Sequence, residues 1–358
     1  MNAASSRRLG SVDALRGITV AAMLLVNDPG DWGHVYWPLD HSVWNGCTPT
    51  DLIFPFFLFI VGVSISLSIL PRLQRGDAPA SLLHAAWWRA LRIVALGLAI
   101  NALAAWLLPD RHMRWPGVLQ RIGVCFALAA PLAIYCRPRI WWLTIGAILA
   151  GYTALLLAGG TLDPYVNIVS RVDFAVFGHG VWSIDPVSGR GHDPEGLLST
   201  LPALATTLLG LCAGVSMRQQ QMRRLVLAGV IALVLGAAWS LWIPFNKNLW
   251  TPSFVLWCAG WSAVALALCH WLIDQCGWPA WGRRFGINAI AAYGGSELLQ
   301  VLLPGLGWQD PLYHTLVANW ATPLVGPWAA SLIWAIAFVI VWWLIVWWLD
   351  RRRLYLKL

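Results

Sequence analysis

Charge is what this sequence has least of. Asp, Glu, Lys and Arg make up 11% of its 358 residues, against 59% hydrophobic ones, whereas a soluble domain carries roughly 25% charged residues. Water is thereby excluded as the main solvent of the chain. Paired cysteine motifs are also missing. The seven cysteines are scattered, with Cys125, Cys136, Cys212, Cys258 and Cys269 in or at the ends of apolar stretches, and no spacing suits a zinc site or a disulfide framework. No metal is expected. Low-complexity tracts and short-period repeats are absent too, which argues for one domain over residues 1–358. The first apolar run begins close to Asp13 and Arg16 and lacks an A-x-A-like cleavage site. It is expected to be a retained helix rather than a signal peptide.

Long apolar runs are present in quantity. A bilayer core of about 30 Å needs about 20 apolar residues per helix. Such runs lie at about 15–28, 51–70, 89–108, 117–135, 140–158, 198–215, 223–243, 253–272, 284–303 and 328–349. They predict an all-α integral membrane protein, a single polytopic bundle of about ten transmembrane helices. The 26 tryptophans, several in pairs such as Trp141-Trp142 and Trp342-Trp343, lie mostly near run ends, where indoles anchor a helix at the membrane interface.

The net charge of +8 does not point to nucleic acid. Sixteen basic residues, among them Arg7, Arg8, Arg72, Arg137, Arg218, Arg284, Arg351 and Lys357, fall in the N-terminus, the even-numbered loops and the C-terminus. Six (Arg111, Arg114, Arg121, Arg171, Arg190 and Lys247) fall in the odd-numbered loops and their edges. The positive-inside rule then puts both termini in the cytoplasm, which an even helix count satisfies. Without an organellar targeting segment, the expected location is a bacterial plasma (inner) membrane, with lipid as the surrounding partner. A homodimer is left open.

Size and polarity concentrate outside. The segments 29–50, 159–197 and 304–327 are longer than connection requires and are expected to form the non-cytoplasmic face, where loops carry function. Ionisable groups inside spans are costly and face a bundle interior or a wet cavity. Arg121 and Glu297 lie about one turn inside their spans, and Asn27 and Asp51 mark the outer boundary of the first two. Two arrangements suit this layer: an Arg121–Glu297 ion pair stitching helices together, or a polar chamber open to the outer side.

Between the first two spans the chain reads Asp40-His41-Ser42-Val43-Trp44-Asn45-Gly46-Cys47-Thr48-Pro49-Thr50-Asp51, continuing through Phe54-Pro55-Phe56-Phe57 to Gly62. Five further stretches follow the same pattern in order. They are Ser11 to Gly17 with Val26-Asn27, Gly117-Val118-Leu119-Gln120-Arg121-Ile122-Gly123, Asp193-Pro194-Glu195-Gly196, Asn246 to Phe254, and Gly286-Ile287-Asn288-Ala289. Together they resemble the heparan-α-glucosaminide N-acetyltransferase family, including bacterial inner-membrane relatives linked to N-acetylglucosamine metabolism, over roughly residues 7–349. The resemblance implies acetyl transfer from cytosolic acetyl-CoA to the amine of a terminal glucosamine across the membrane. It places the family's functional histidine at His41 and its functional asparagine at Asn27. The sequence between them is longer and more acidic here, with Asp28, Asp31 and Asp40, and this bears on the acceptor more than on the chemistry.

The chemistry is intelligible from the residues. A sugar amine attacks a thioester only when neutral, so a base must take its proton, and histidine, with an ordinary pKa of about 6.5, is suited to that. His41 could instead accept the acetyl group itself; direct transfer needs no added intermediate. Asn27 is a candidate donor to the thioester oxygen, and Asp51 a candidate to fix the His41 tautomer or bind sugar. Trp44 and Asn45, Gln120 and Arg121, Asn246, Lys247 and Asn248, and Glu297 are candidate substrate contacts. Trp44 serves equally as an interfacial anchor, and 246–248 as a polar turn. Asp193 and Glu195 would hold a cationic amine or cap the sixth helix. Arg16, Arg92 and Asn288, at the inner ends of their spans, are candidates for the coenzyme's nucleotide end, since arginine matches phosphate geometry. Positive-inside anchoring also accounts for the two arginines. Two other functions remain open: an amino-sugar transporter or permease, and a membrane O-acyltransferase acting on surface polysaccharide, which the opening Asp13-x-x-Arg16-Gly17 also resembles.

Overall fold

The computed structural model describes residues 9–356, so Arg7, Arg8 and Lys357 of the charge tally lie outside the described residues. In chain order the helices are α1 (Gly10–Asn27), α2 (Ile53–Gln74, entered through a 3-10 turn at Thr50–Leu52), α3 (Pro79–Leu107), α4 (Val118–Tyr135), α5 (Pro138–Ala158) and α6 (Ile168–Phe177). A two-residue hairpin follows, β1 (Ser183–Ile184) against β2 (Gly191–His192), antiparallel with Ser183 opposite His192. Then come α7 (Thr200–Arg218), α8 (Met222–Trp239), α9 (Pro252–Cys269, prolonged by a π-helical stretch to Gln275), α10 (Arg283–Ile287), α11 (Ala289–Gly305), α12 (Gln309–Tyr313), α13 (Asn319–Val325) and α14 (Pro327–Arg351). Prolines open α3, α5, α9 and α14 at the first helical position, where the missing N–H has no intrahelical partner to lose.

This is the all-α polytopic architecture expected. Nine helical segments among the described residues are long and apolar enough to cross a membrane. The ninth expected run, 284–303, is the one not among them: it is broken at Asn288 into α10 and the 17-residue α11. Segment 304–327, expected as a Pro- and Gly-rich loop, is instead largely helical, with α12 and α13 joined through a π-helical turn at His314–Ala318.

Helices α1, α2, α4, α7 and α9 bury most of their residues and form the centre, while α3, α5, α8 and α14 lie outside them. Their outward faces show exposed Leu227, Val234, Ile340 and Leu344, which suits contact with lipid chains. Glycines let the central backbones touch. A Cβ at Gly62 of α2 would stand 1.8 Å from the Thr207 carbonyl oxygen of α7, and one at Gly210 of α7 would stand 1.9 Å from that of Phe59. Gly17 of α1 meets the Gly282 carbonyl in the same way, and Gly286 meets that of Asp13. Such small-residue seats are how helices pack closely where no hydrophobic drive separates protein from lipid.

The tryptophan pairs divide. Trp142 and Trp343 are exposed, as an interfacial belt requires, but their neighbours Trp141 and Trp342 are buried. The Trp141 indole donates to the Leu132 carbonyl at 2.8 Å.

Candidate active site

The segments between helices gather into one polar cap at one end of the bundle. Gly46 N donates to the Phe245 carbonyl, Trp115 N donates to that of Gly180, and Gly30 N donates to that of Ser331. At the junction of the first connection with α2 stands Asp51, fully buried. One of its oxygens accepts from the Ser42 and Thr48 backbone N–H groups at 3.1 and 2.9 Å and from Thr48 Oγ1 at 3.2 Å. The other faces His41 Nδ1 at 2.8 Å. A carboxylate fixed in this way holds the proton on Nδ1 and leaves Nε2 as the basic nitrogen. The His41 side chain is 43% exposed.

Lys247 completes the group. Its amine lies 3.1 Å from both His41 ring nitrogens and 4.0 Å from Asp51 Oδ1. The turn that carries it is locked on both flanks. Buried Asn246 donates to Asn45 Oδ1 at 3.0 Å and accepts from Leu249 N at 2.8 Å. Trp250 takes a left-handed φ of 53°, which only a well-packed site can impose on a bulky residue. Burial pulls the Lys247 amine below its ordinary pKa, with Arg121 acting in the same direction and Asp51 and Glu195 opposing it.

Next to this lies a second charged group. Arg114 donates to both oxygens of Asp193, at 2.9 and 2.7 Å, and to Glu195. Burial opposes its charge, yet the two carboxylates hold the guanidinium protonated well above the ordinary arginine value. Burial likewise disfavours the Glu195 carboxylate, but Arg114, Arg121 and Lys247 overcome it and keep Glu195 below its usual range. Asp193 and Glu195 therefore neither cap α7, whose N-terminus has no side-chain cap, nor stand free for a cationic amine. They clamp Arg114. On its other side Arg114 stacks on Trp182 at 4.7 Å, as Arg111 does at 4.8 Å. These three residues, with Asp110, His112 and His179, line an open polar cleft of about 270 Å³.

Arg121 does not pair with Glu297. Its guanidinium turns toward the chain before α7, donating to the Gly196 carbonyl at 3.3 Å and to Ser199 Oγ, and stacks on Trp250 at 5.1 Å. Among the described residues its Nε and Nη1 are buried without a partner, as is the amide nitrogen of Gln120, which rests against Gly97 and Gly117. Buried donors left unspent are rare in folded proteins, which marks these two side chains as candidates for contact with a hydrogen-bonding ligand. Glu297 faces Asn27 and Tyr293 and lies within electrostatic reach of Arg114 and Glu195. Asp28 beside it accepts from Gln300 at 3.0 Å. Asn27 and His41 thus occupy different parts of the cluster.

Trp44 is engaged in the cap. Its indole donates to the Leu162 carbonyl at 2.8 Å and its ring meets His192 edge-on at 5.0 Å. His192 is buried, bonded to Ser170 Oγ at 2.8 Å and close to Asn248. Burial pushes its pKa down to about 4. Burial pushes that of neighbouring Asp173 up to about 7.

Of the three residues expected at the coenzyme end, Arg16 reaches the short α10, whose C-cap is Asn288. Arg16 donates to Asp13 at 3.0 Å, to the Gly286 carbonyl at 3.1 Å and to Ser64 Oγ at 2.7 Å. Asn288, at the break between α10 and α11, is 1% exposed, and neither polar atom of its amide has a partner among the described residues. Arg92 is exposed on α3, which packs chiefly on α4 and α11.

Sequence reasoning missed the roles of Arg114, Tyr293, Ser199 and the Ser42–Thr48 cradle of Asp51. Arg114 did leave a signal, being one of the six basic residues that run against the positive-inside pattern and so in need of a local reason to be there.

A family model described as heparan-alpha-glucosaminide N-acetyltransferase, catalytic, matches residues 8–244. The heparan-alpha-glucosaminide N-acetyltransferase of Mus musculus is 29% identical over 365 aligned residues, covering 84% of this chain and 55% of the relative. That of Homo sapiens is 30% identical over 362, covering 83% and 54%. The chain spans about half the length of the curated relatives it matches.

Proposed function

The chain belongs to the heparan-alpha-glucosaminide N-acetyltransferase family, and on that premise we propose that it transfers an acetyl group from acetyl-CoA to the amine of a glucosamine or glucosaminide, with His41 as general base. The observation that carries this reading is the 2.8 Å contact between His41 Nδ1 and a buried, fully cradled Asp51. It leaves Nε2 as the basic ring nitrogen, on a side chain partly exposed at a polar mouth. The neutral amine attacks the thioester carbonyl carbon, forming the C–N bond, and its proton passes to His41 Nε2. The C–S bond then breaks and the proton moves on to the leaving thiolate. Positioned bases of this kind contribute about 10²–10⁴-fold.

The unspent donors of Arg121 and Gln120 are suited to acceptor hydroxyls or to the carbonyl oxygen as charge gathers on it. Asn27 beside Glu297 and the Arg111–Trp182 cleft are suited to the acceptor's approach. Of the coenzyme-end candidates, Asn288 has hydrogen-bonding capacity to spare, whereas Arg16 is already engaged. The charge distribution supports both termini facing the cytoplasm of a bacterium, with α11 as the crossing that makes the count even and His41 on the far side. A cysteine at position 41 labelled only by reagents applied from the cytosol would overturn that orientation.

Purified protein given acetyl-CoA and glucosamine should release free thiol and N-acetylglucosamine, and His41→Ala should abolish both. Uptake of labelled sugar into liposomes without donor consumption would replace this reading with a transporter.

A further inference from the structure

We propose that Lys247 is a positioning residue for His41: it keeps the imidazole uncharged in the resting site and so sets the acid limit of the reaction. The inference rests on His41 acting as base. Its carrier is geometric. One amine lies 3.1 Å from each of two nitrogens of the same ring, on a turn pinned by Asn45, Leu249 and a left-handed Trp250. A long, flexible side chain held that way is not a loose surface lysine, and its own side chain is only 16% exposed.

The consequence follows from charge. His41 has anionic neighbours, Asp51 at its Nδ1 and Asp40 bonded to its backbone N–H, and both favour the imidazolium. An imidazolium cannot take a proton from an amine. Lys247 is the cation set against them. The groups facing Lys247 itself are Asp51 and Glu195, which favour its ammonium, Arg121, which opposes it, and Cys47 beside it. Two anions within reach favour a positive charge on the amine, against burial. A cation against the ring disfavours protonation of the ring, and that is the influence the placement of Lys247 supplies.

The same placement bears on the route. Asp51 occupies Nδ1, so an acetyl group on His41 would have to sit on Nε2. That nitrogen is also one the Lys247 amine faces at 3.1 Å, so the amine would have to move aside to admit the acetyl group.

The test reads the histidine directly as well as through turnover. His41 titration is followed in protein carrying ring-labelled histidine, or by the pH dependence of carbethoxylation at His41, in wild type, Lys247→Met and Lys247→Arg without substrate. The kcat/KM profile is recorded beside it. Lys247→Met should move both the titration midpoint and the acid limb of the profile upward by about one pH unit; Lys247→Arg should leave both near their wild-type positions. Lys247→Gln replaces the Met variant if that one fails to fold. An unmoved midpoint in a folded, neutral variant overturns the proposal. So does loss of all activity in Lys247→Arg with the midpoint in place, which would make Lys247 the base. If wild type acetylates nothing, the proposed activity falls, while the titration still decides whether Lys247 governs His41.

Discussion

Replacing Asp51 by Asn changes one atom and should separate stability from catalysis. The carboxylate now receives two backbone N–H groups and a hydroxyl on one oxygen and His41 on the other. An amide has one acceptor oxygen. If that oxygen stays with Ser42 and Thr48, the new NH2 group points at His41 Nδ1. The ring must then present a lone pair there and carry its proton on Nε2. The outward nitrogen becomes a donor and cannot accept the amine proton. The structural loss is one charge-assisted contact, about 1–3 kcal/mol of stability. The catalytic loss is the whole contribution of a positioned base, about 10²–10⁴-fold in kcat/KM, equivalent to about 3–5 kcal/mol of barrier. Thermal unfolding in detergent and thiol release with glucosamine measure the two separately. An Asp51→Asn protein that is folded and keeps kcat/KM within about threefold of wild type would refute the tautomer argument.

Other expectations concern the cap. Arg114→Met strands the buried carboxylates of Asp193 and Glu195 and should cost about 3–5 kcal/mol, visible as a lowered melting temperature. Adding Asp193→Asn and Glu195→Gln should recover most of it, and a failure to do so would mean that Arg114 acts through packing on Trp182. Asp173 and His192 should oppose each other in pH dependence. His192, with its folded pKa depressed to about 4, takes stability away as pH falls from about 6.5. Asp173, raised to about 7, takes it away as pH rises from about 3.8. Relative to wild type, Asp173→Asn should lose about 2–3 kcal/mol on going from about pH 7 to about 4.5, and His192→Gln should gain a similar amount. Melting curves across that window check both, and parallel curves would show that neither group titrates as described.

Much of this molecule is visible in its sequence, and the failures have physical causes. Apolar runs reveal spans because a bilayer admits few alternatives. Helix α3 was expected to begin near residue 89, ten residues late, because His84 and Arg89 blurred the run; Pro79 marked the true start. The break at Asn288 follows a left-handed Gly282 with φ 83° and the tight seat of α10 on α1, neither of which composition reveals. In segment 304–327, Pro311, Pro323 and Gly326 suggested a loop. Two of the three are compatible with helix, Pro311 near the start of α12 and Pro323 within α13, while Gly326 marks the boundary before α14. His41, Asp51 and Asn27 stood out because they belong to ordered motifs. The partnership of Lys247 with His41 spans 206 positions, and that of Arg114 with Asp193 spans 79. Pairings at such distance leave no local periodicity to read. Arg121 and Glu297 were both recognised as buried charges, but depth alone does not give azimuth, and the two face different neighbours.

The backbone seats at Gly62 and Gly210 also limit how the molecule can move. With no clearance between carbonyl and α-carbon, a slip of α2 past α7 by one position would drive a side chain into the opposing main chain. The central pair therefore behaves as a fixed post, and α1 with α10 as a second. Any widening that would admit the proposed thioester donor to His41 must come from the perimeter. Helix α5 lies there, and its own Gly146 and Gly151 meet nothing within 4 Å.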